Sequence, residues 1–390
     1  MATYRIIATN TASFRPRAEV PFSSVTFSDV LNRPGSCTIE IPLQADVDMR
    51  QFTRPGNTAI WIERNGDIVW GGPLWTTDVD LVGQSVRLSC EGWLSYYNHR
   101  INTINFDTGT FIPGEAGQDI ATVMYQLLRT TKETFDETPN WGLTYPTTQG
   151  VPPIDIDPWL VAAFSGGLGW DCIGAVRASE LLNMGTFIEK LLNGEYSNET
   201  YNAYGVHTAD YAIVPSWDYD SAAPKAEWAF WNYKRGTSIA KPLALDAGIV
   251  SLGVTYDATN QANEVYVLGT GGGDLAPRAS ATRGRSQNAL HMQVAISRDL
   301  DNQASTQSFA TDAVRALREP HIIPEVSIRG DNPEWDWTTY SVGDTFTLDV
   351  EYSFVDLRIP WRIMEKETSV DSSGTETVKI SVADDELFQP

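Results

Sequence analysis

Carboxylates set beside aromatic rings are the residues whose types and spacing come nearest to a recognisable chemistry. Glu334 and Asp336 flank Trp335 and precede Trp337. Sugar hydrolysis needs such a set: two carboxyl groups about 5–10 Å apart, with rings to seat the sugar. Asp155 and Asp157 form a second close pair, but with 50 acidic residues in the chain close pairs arise by chance. Neither pair is read as catalytic. The 4 histidines (His99, His207, His291, His321) stand apart, without the H-E-x-x-H or paired spacing that gathers a metal. Neither a G-x-S-x-G elbow nor a G-x-x-x-x-G-K-S/T loop is present.

The run Gly269-Thr270-Gly271-Gly272-Gly273-Asp274 looks like a phosphate cradle. A dinucleotide site needs a helix to begin at once, so that its amides face the phosphate. Here Asp274 and Pro277 follow without an apolar helical stripe, so the run reads as a strand-exit loop. Arg278, Arg283 and Arg285 make a small basic knot, read as pairing with the chain's own carboxylates; contact with DNA or an acidic partner is the alternative. The 3 cysteines (Cys37, Cys90, Cys172) are odd in number and far apart, which excludes a disulfide framework and a C-x-x-C metal site. Cys37 and Cys90 lie in strand-like runs and read as buried thiols. Asn198-Glu199-Thr200 matches a glycosylation acceptor but lacks a secretory context. The expectation is therefore no catalytic, cofactor-binding or metal residue, and no enzyme.

The elements that would position any site are mostly strands. In Cys37–Leu43, alternation puts Cys37, Ile39 and Ile41 on one face and Thr38 and Glu40 on the other. Asn65-Gly66 separates two β-rich runs and is the strongest hairpin signal in the chain. Val86, Leu88 and Cys90 face inward on a further strand. Helical stripes follow: Ile120, Val123, Met124, Leu127 and Leu128 within 117–130, and Leu181 to Leu192 within 179–193, with Gly194 as a C-terminal cap. Residues 138–174 are a long Pro-, Gly- and Trp-rich loop region whose role stays open. A third helix is expected over 302–318, with Phe309, Ala310, Ala313, Val314 and Leu317 inward and Pro320 stopping it. Strands then close the chain. No internal repeat of 20–50 residues is visible.

The reading is a mainly β chain with α+β insertions and small β-barrel or sandwich modules at both ends. Residues 1–100 form an N-terminal β-barrel, 101–245 an α+β middle domain (a discontinuous one is left open), and 246–390 an α+β segment closing with a second β module. The net charge is −22, with residues 1–100 carrying −1, residues 101–240 carrying −10 and the remainder −11. Such a field repels nucleic acid and anionic membranes. No run approaches the ~20 apolar residues of a membrane span. The opening MATYRIIATNTASFRPRAEV shows no secretory signal, so synthesis in a cytoplasm is expected.

Several segments together resemble the hub module of siphophage tail-associated (Tal-type) proteins, itself similar to the hub of contractile-tail baseplates. They are VLNRPGSCTIEIPLQADVD, TAIWIERNGDIVWGGPLWTTDVD and SVRLSCEGWLSYYNHRIN near the start. Near the end come NEVYVLGTGGGD, DAVRALREP, YSVGDTFTLDV and WRIMEKETSV. Their order carries the resemblance, over about 250 residues, and the Val342-Gly343-Asp344 turn is a closing element of it. It implies a structural virion protein at the tail tip: a homotrimer whose two barrel-like modules per chain present a pseudo-sixfold face to a hexameric distal tail ring. Its implied partners are further copies of itself, the distal tail ring, the tape-measure protein and other tip or fibre proteins. DNA passes transiently and is not stably bound, during host attachment and genome ejection. Two alternatives remain open here: a carbohydrate-binding or glycan-cleaving tip protein, and a hexameric distal tail ring subunit.

Overall fold

The computed structural model describes residues 2–43, 48–101, 118–119, 123–124, 127–128, 151–156, 171–172, 183–192, 209–232, 234–246, 248–269, 275–282, 290–297 and 303–385. The Gly271–Asp274 run, Arg283, Arg285, His207, Asp157, Asn198–Thr200, Ile120, Leu181, Leu182, Gly194 and most of 138–174 lie outside them.

Seven strands open the chain: β1 (Tyr4–Asn10), β2 (Pro16–Glu19), β3 (Ser24–Val30), β4 (Ser36–Pro42), β5 (Thr58–Arg64), β6 (Asp67–Asp80) and β7 (Ser85–Glu91). Alternation decides their faces. Cys37, Ile39 and Ile41 are buried, and each meets a buried residue of β7 directly opposite: Cys90, Leu88 and Val86. The β5–β6 turn has Asn65 at φ 54° and Gly66 at φ 99°, the left-handed pair of a type I′ hairpin. A one-turn helix, α1 (Leu94–Tyr97), follows.

The middle of the chain supplies two small sheets and a helix. β8 (Gln118–Asp119) pairs with β10 (Asp171–Cys172); β9 (Ile154–Ile156) lies parallel to β12 (Ala223–Asn232), which is antiparallel to β11 (Ala209–Asp218). Residues 123–124 and 127–128 are helical with their side chains buried. Helix α2 (Met184–Leu192) buries Met184, Phe187, Ile188, Leu191 and Leu192. These apolar groups share a core with Trp61, Trp93 and Trp228, so the middle segment is packed onto the N-terminal sheet.

The last third holds β13 (Leu243–Ala244), β14 (Ile249–Asp257), β15 (Glu264–Leu268), β16 (Arg278–Thr282), β17 (Gln293–Ser297), helix α3 (Gln303–Leu317), β18 (His321–Arg329), β19 (Thr345–Asp349), β20 (Glu351–Tyr352), β21 (Val355–Asp356), β22 (Pro360–Val370) and β23 (Glu376–Asp384). β15, β16 and β17 form their own sheet, onto which α3 lays Phe309, Ala310 and Val314 as the periodicity predicts.

One wide sheet joins both ends of the chain in the order β14-β18-β23-β22-β3-β4-β7-β6-β5-β1-β2. Its central seam is the antiparallel pair β22·β3, with Val370 opposite Val25 and Glu365 opposite Val30. On either side of that seam the strands repeat one plan. Taken in chain order as a, b, c and d, both β14, β18, β22, β23 and β3, β4, β6, β7 lie in space as a-b-d-c. The correspondence reaches single residues. The c–d pair slips at Met364 in one half and at Trp75 in the other. In both halves the early part of strand c also pairs with an earlier strand: β5, directly before β6, or β19, which precedes β22 with β20 and β21 intervening. The chain therefore contains a doubled unit that no sequence repeat announces, because strand pairing requires an alternating apolar pattern rather than particular residues.

Candidate functional site

The residues singled out for chemistry are dispersed by the fold. Trp335 is buried in the core, against Tyr340 and Phe346. Trp337 donates its indole N–H to Thr368 Oγ1 at 2.9 Å and lies under two cations, Arg64 and Lys366. Asp336 accepts from the Thr338 backbone N–H at 3.0 Å, and these hydrogen bonds, the Thr338 hydroxyl foremost, hold its carboxyl below the usual range. Glu334 instead pairs with Lys241 at 3.1 Å. The two carboxylates and two rings thus have separate structural duties. His99 stacks on Trp75, while His291 bonds Glu264 at 2.6 Å. Arg278 is exposed on β16, with its backbone N–H given to Gln303. Among the described residues no three His, Cys, Asp or Glu side chains gather as a metal set, and no helix is long and apolar enough to cross a membrane. Cys37 and Cys90 are free thiols; burial pushes the Cys37 thiol up.

Two buried polar knots stand out instead, both built across the seam of the wide sheet. In the first, Asp210 at the start of β11 is fully buried. Its carboxylate takes hydrogen bonds from the Arg362 guanidinium, from the Arg235 backbone N–H and, at 2.9 Å, from Asn32 Nδ2. Asn32 in turn accepts from Tyr211 N at 2.8 Å, and Arg235 reaches Asp29 at 2.9 Å. A buried charge is tolerated only when paired and hydrogen-bonded, and this one is held from three parts of the chain. The Val342-Gly343-Asp344 turn belongs to the same knot. Gly343 takes φ 93°, and Asp344 accepts from Thr237 N at 2.6 Å and Ser341 N at 2.7 Å, clamping the segment that follows Gly236.

The second knot surrounds Lys366, whose side chain points into the sheet. Its ammonium donates to the carbonyls of Trp337 (2.6 Å) and Tyr340 (2.8 Å) and sits over both of their rings. Desolvation brings its pKa down to about 7. Beside it Arg64 donates to Glu376 at 3.1 Å and to Tyr4 Oη at 3.2 Å. These two carbonyl bonds tie β22 to the 337–340 segment through Lys366. A cleft of about 330 Å³ opens between the two knots, walled by Trp70, Trp93, Ile213 and Val342 with Arg33, Arg235 and Lys366 as its cations. Sequence reasoning missed these groups: Asp210 and Arg362 are 152 positions apart. A lysine at an inward-facing strand position, between Met364 and Thr368, is the one local signal.

The opposite face of the wide sheet is largely polar, with Ile323 on β18 as an exposed apolar exception. One row runs Arg329, Thr377, Ser369, Thr26, Thr38, Ser89, Thr76 across seven strands. The next carries Ser327, Lys379, Glu367 and Ser28. At its margins exposed large apolar side chains include Val79, Leu81 and Val82 on the β6–β7 hairpin and Val250 and Tyr256 on β14.

The whole architecture is similar to that of solved tail proteins. The 43 kDa tail protein of prophage MuSo2 from Shewanella oneidensis superposes with a TM-score of 0.59 and 9% identity, over 99% of this chain and 99% of that one. A tail protein from Neisseria meningitidis MC58 gives 0.58 and 10%, over 99% and 98%. A chain of the Francisella PdpA–VgrG complex gives 0.50 and 9%, over 98% of this chain and 52% of that one. At such identities the likeness shows a common fold, the mainly β fold of these tail proteins. No protein-family model matches the chain, and no curated protein matches it.

Proposed function

We propose that this chain is a non-enzymatic structural subunit of a phage tail tip. It acts as the hub ring between the distal tail ring and the tip, and is incorporated in the virion. The observation that carries the reading is the doubled a-b-d-c unit in a chain that shares the fold of two solved tail proteins over 99% of its length. A chain with two equivalent units lets three copies present six, which matches a threefold subunit to a sixfold neighbour with closed symmetry.

The polar face suits the inner wall of such a ring. The cations there, Arg329, Lys379 and Arg87, are each paired with a carboxylate (Asp331, Glu325 and Glu40), and the acid excess repels DNA phosphates over about 8 Å at physiological salt. The tape-measure protein and DNA would pass along this wall. The tryptophans that invited a glycan reading are buried or held under cations, so they offer no sugar platform. The test is the mass and negative-stain image of the purified chain, with labelling of intact tails by an antibody against it. Threefold rings and label at the tail tip are expected. Sixfold rings would favour a distal ring subunit, and absence of label from tails would refute the hub.

A further inference from the structure

The wide sheet ends in margins that a folded chain does not normally leave open. Among the described residues, β14 is paired only through β18, and beyond Trp75 strand β6 is paired only through β7. Native sheets blunt such edges with charge, proline or a cover. Asp78 and Asp80 put charge on the outer end of β6, but between and beyond them apolar groups are exposed, Val79 at 54% and Leu81 at 75%.

The in-chain seam shows what these edges fit. It joins strand c of one half (β22) to strand a of the other (β3). The free edges are the remaining c and a: β6 and β14. Aligning the halves through their shared slip, Met364 with Trp75, makes Val79 equivalent to Thr368 and Leu81 to Val370. Through the b and d strands, Val254 is equivalent to Phe27 and Leu252 to Val25. In the seam those four counterparts are 0, 2, 3 and 1% exposed. The exposed valine and leucine thus occupy positions that the same fold buries wherever a neighbouring strand is present.

The backbone phases agree. Leu31 N donates to Met364 O, which places Phe27 and Thr368 among the pairs that exchange backbone hydrogen bonds. Their counterparts must then point their own groups outward, and they do. Leu43 N bonds Gln84 O, so Val86 turns to β4 and Val79, opposite it, turns out. Gly330 N bonds Glu376 O, so Pro324 turns to β23 and Val254, opposite it, turns out.

The geometry points to a copy-to-copy junction in which β6 of one chain adds antiparallel to β14 of the next, Val79 opposite Val254 and Asp78 opposite Thr255. Because the two edges differ, the contact is head-to-tail and closes into a ring when the rotation returns to the start. Each seam then copies the one inside the chain. The occupant is a second copy of this chain, and the assignment rests on the hub reading above.

Asp78 and Thr255 would form a non-hydrogen-bonded pair on the polar face, where opposed Cβ atoms approach within disulfide reach. The test is the full chain carrying Asp78→Cys and Thr255→Cys together, oxidised with glutathione disulfide. That reagent takes up the two electrons and two thiol protons as two molecules of glutathione. Covalent multimers ending at the ring size are expected, with each single variant remaining at one chain's mass. Val79→Pro, which removes an outward N–H and no ladder bond within the chain, should weaken association at least tenfold without lowering the unfolding temperature. A double variant that stays at one chain's mass, or Val79→Pro that assembles as before, overturns the junction. A chain carried in tails yet never cross-linked removes this contact and leaves the hub standing. A cross-linked ring absent from tails does the reverse.

Discussion

Lys366 offers a quantitative test of how the seam is built. It is buried, and desolvation lowers its pKa from the ordinary 10.5 to about 7; Asp29, Glu376 and Asp344 favour its charge, and Arg64 opposes it. The folded chain therefore releases this proton near pH 7, whereas the unfolded chain keeps it to about pH 10.5. Between those values the unfolded state binds more protons, so this group makes stability rise with pH. Integrated from pH 7 to 9.5, the two titrations give about 3 kcal/mol. Lys366→Met keeps the stem and removes the titration, leaving other groups unchanged in both proteins. Urea unfolding of both at half-unit pH steps gives the difference directly. Wild type should gain about 3 kcal/mol on the variant over that range, whatever the offset between them at pH 7. Parallel curves would refute a desolvated lysine at the seam.

Asp210→Ala should cost about 3–5 kcal/mol in thermal or urea unfolding, because it leaves Arg362 charged and buried without its carboxylate. Glu334→Ala, which breaks a pair exposed by about half on both sides, should change stability by no more than about 0.5 kcal/mol in the same assay. Gly66→Val should cost about 1 kcal/mol or more through backbone strain alone, since its φ is 99° and a Cβ there meets nothing within 4 Å. Gly343→Ala should lower the unfolding temperature further, because φ 93° is joined by a Cβ placed 2.6 Å from Arg235 O.

Local patterns were legible and long-range ones were not. Alternation placed Cys37, Ile39 and Ile41 inward, Asn65-Gly66 formed the expected turn, and the 302–318 stripe became α3 with Phe309 and Val314 buried. Trp70 and Trp75, five positions apart on one strand, take different environments: Trp70 is core and donates to Ser28 O, while Trp75 is half-buried between Ser95 and His99. The β22·β3 seam has no local signal, because any two alternating strands of matching phase can pair. For the same reason the doubled unit escaped detection. Lys366 shows the limit from the other side: a cation at a core position contradicts the pattern, and only the carbonyls of Trp337 and Tyr340, some 26–29 positions away, explain it.

The seam also sets a clock on synthesis. Thr26 and Ser369, whose hydroxyls meet at 3.0 Å across it, are 343 positions apart. At about 5–20 residues per second, β3 leaves the ribosome roughly 20–70 s before β22 exists to pair with it. Throughout that interval Val25 and Phe27 sit on an open strand edge. Chains made side by side on one message could fill it with the wrong β22 and exchange strands. Yield of correctly paired protein should therefore fall as expression is driven harder, and slower synthesis at low copy number should recover it.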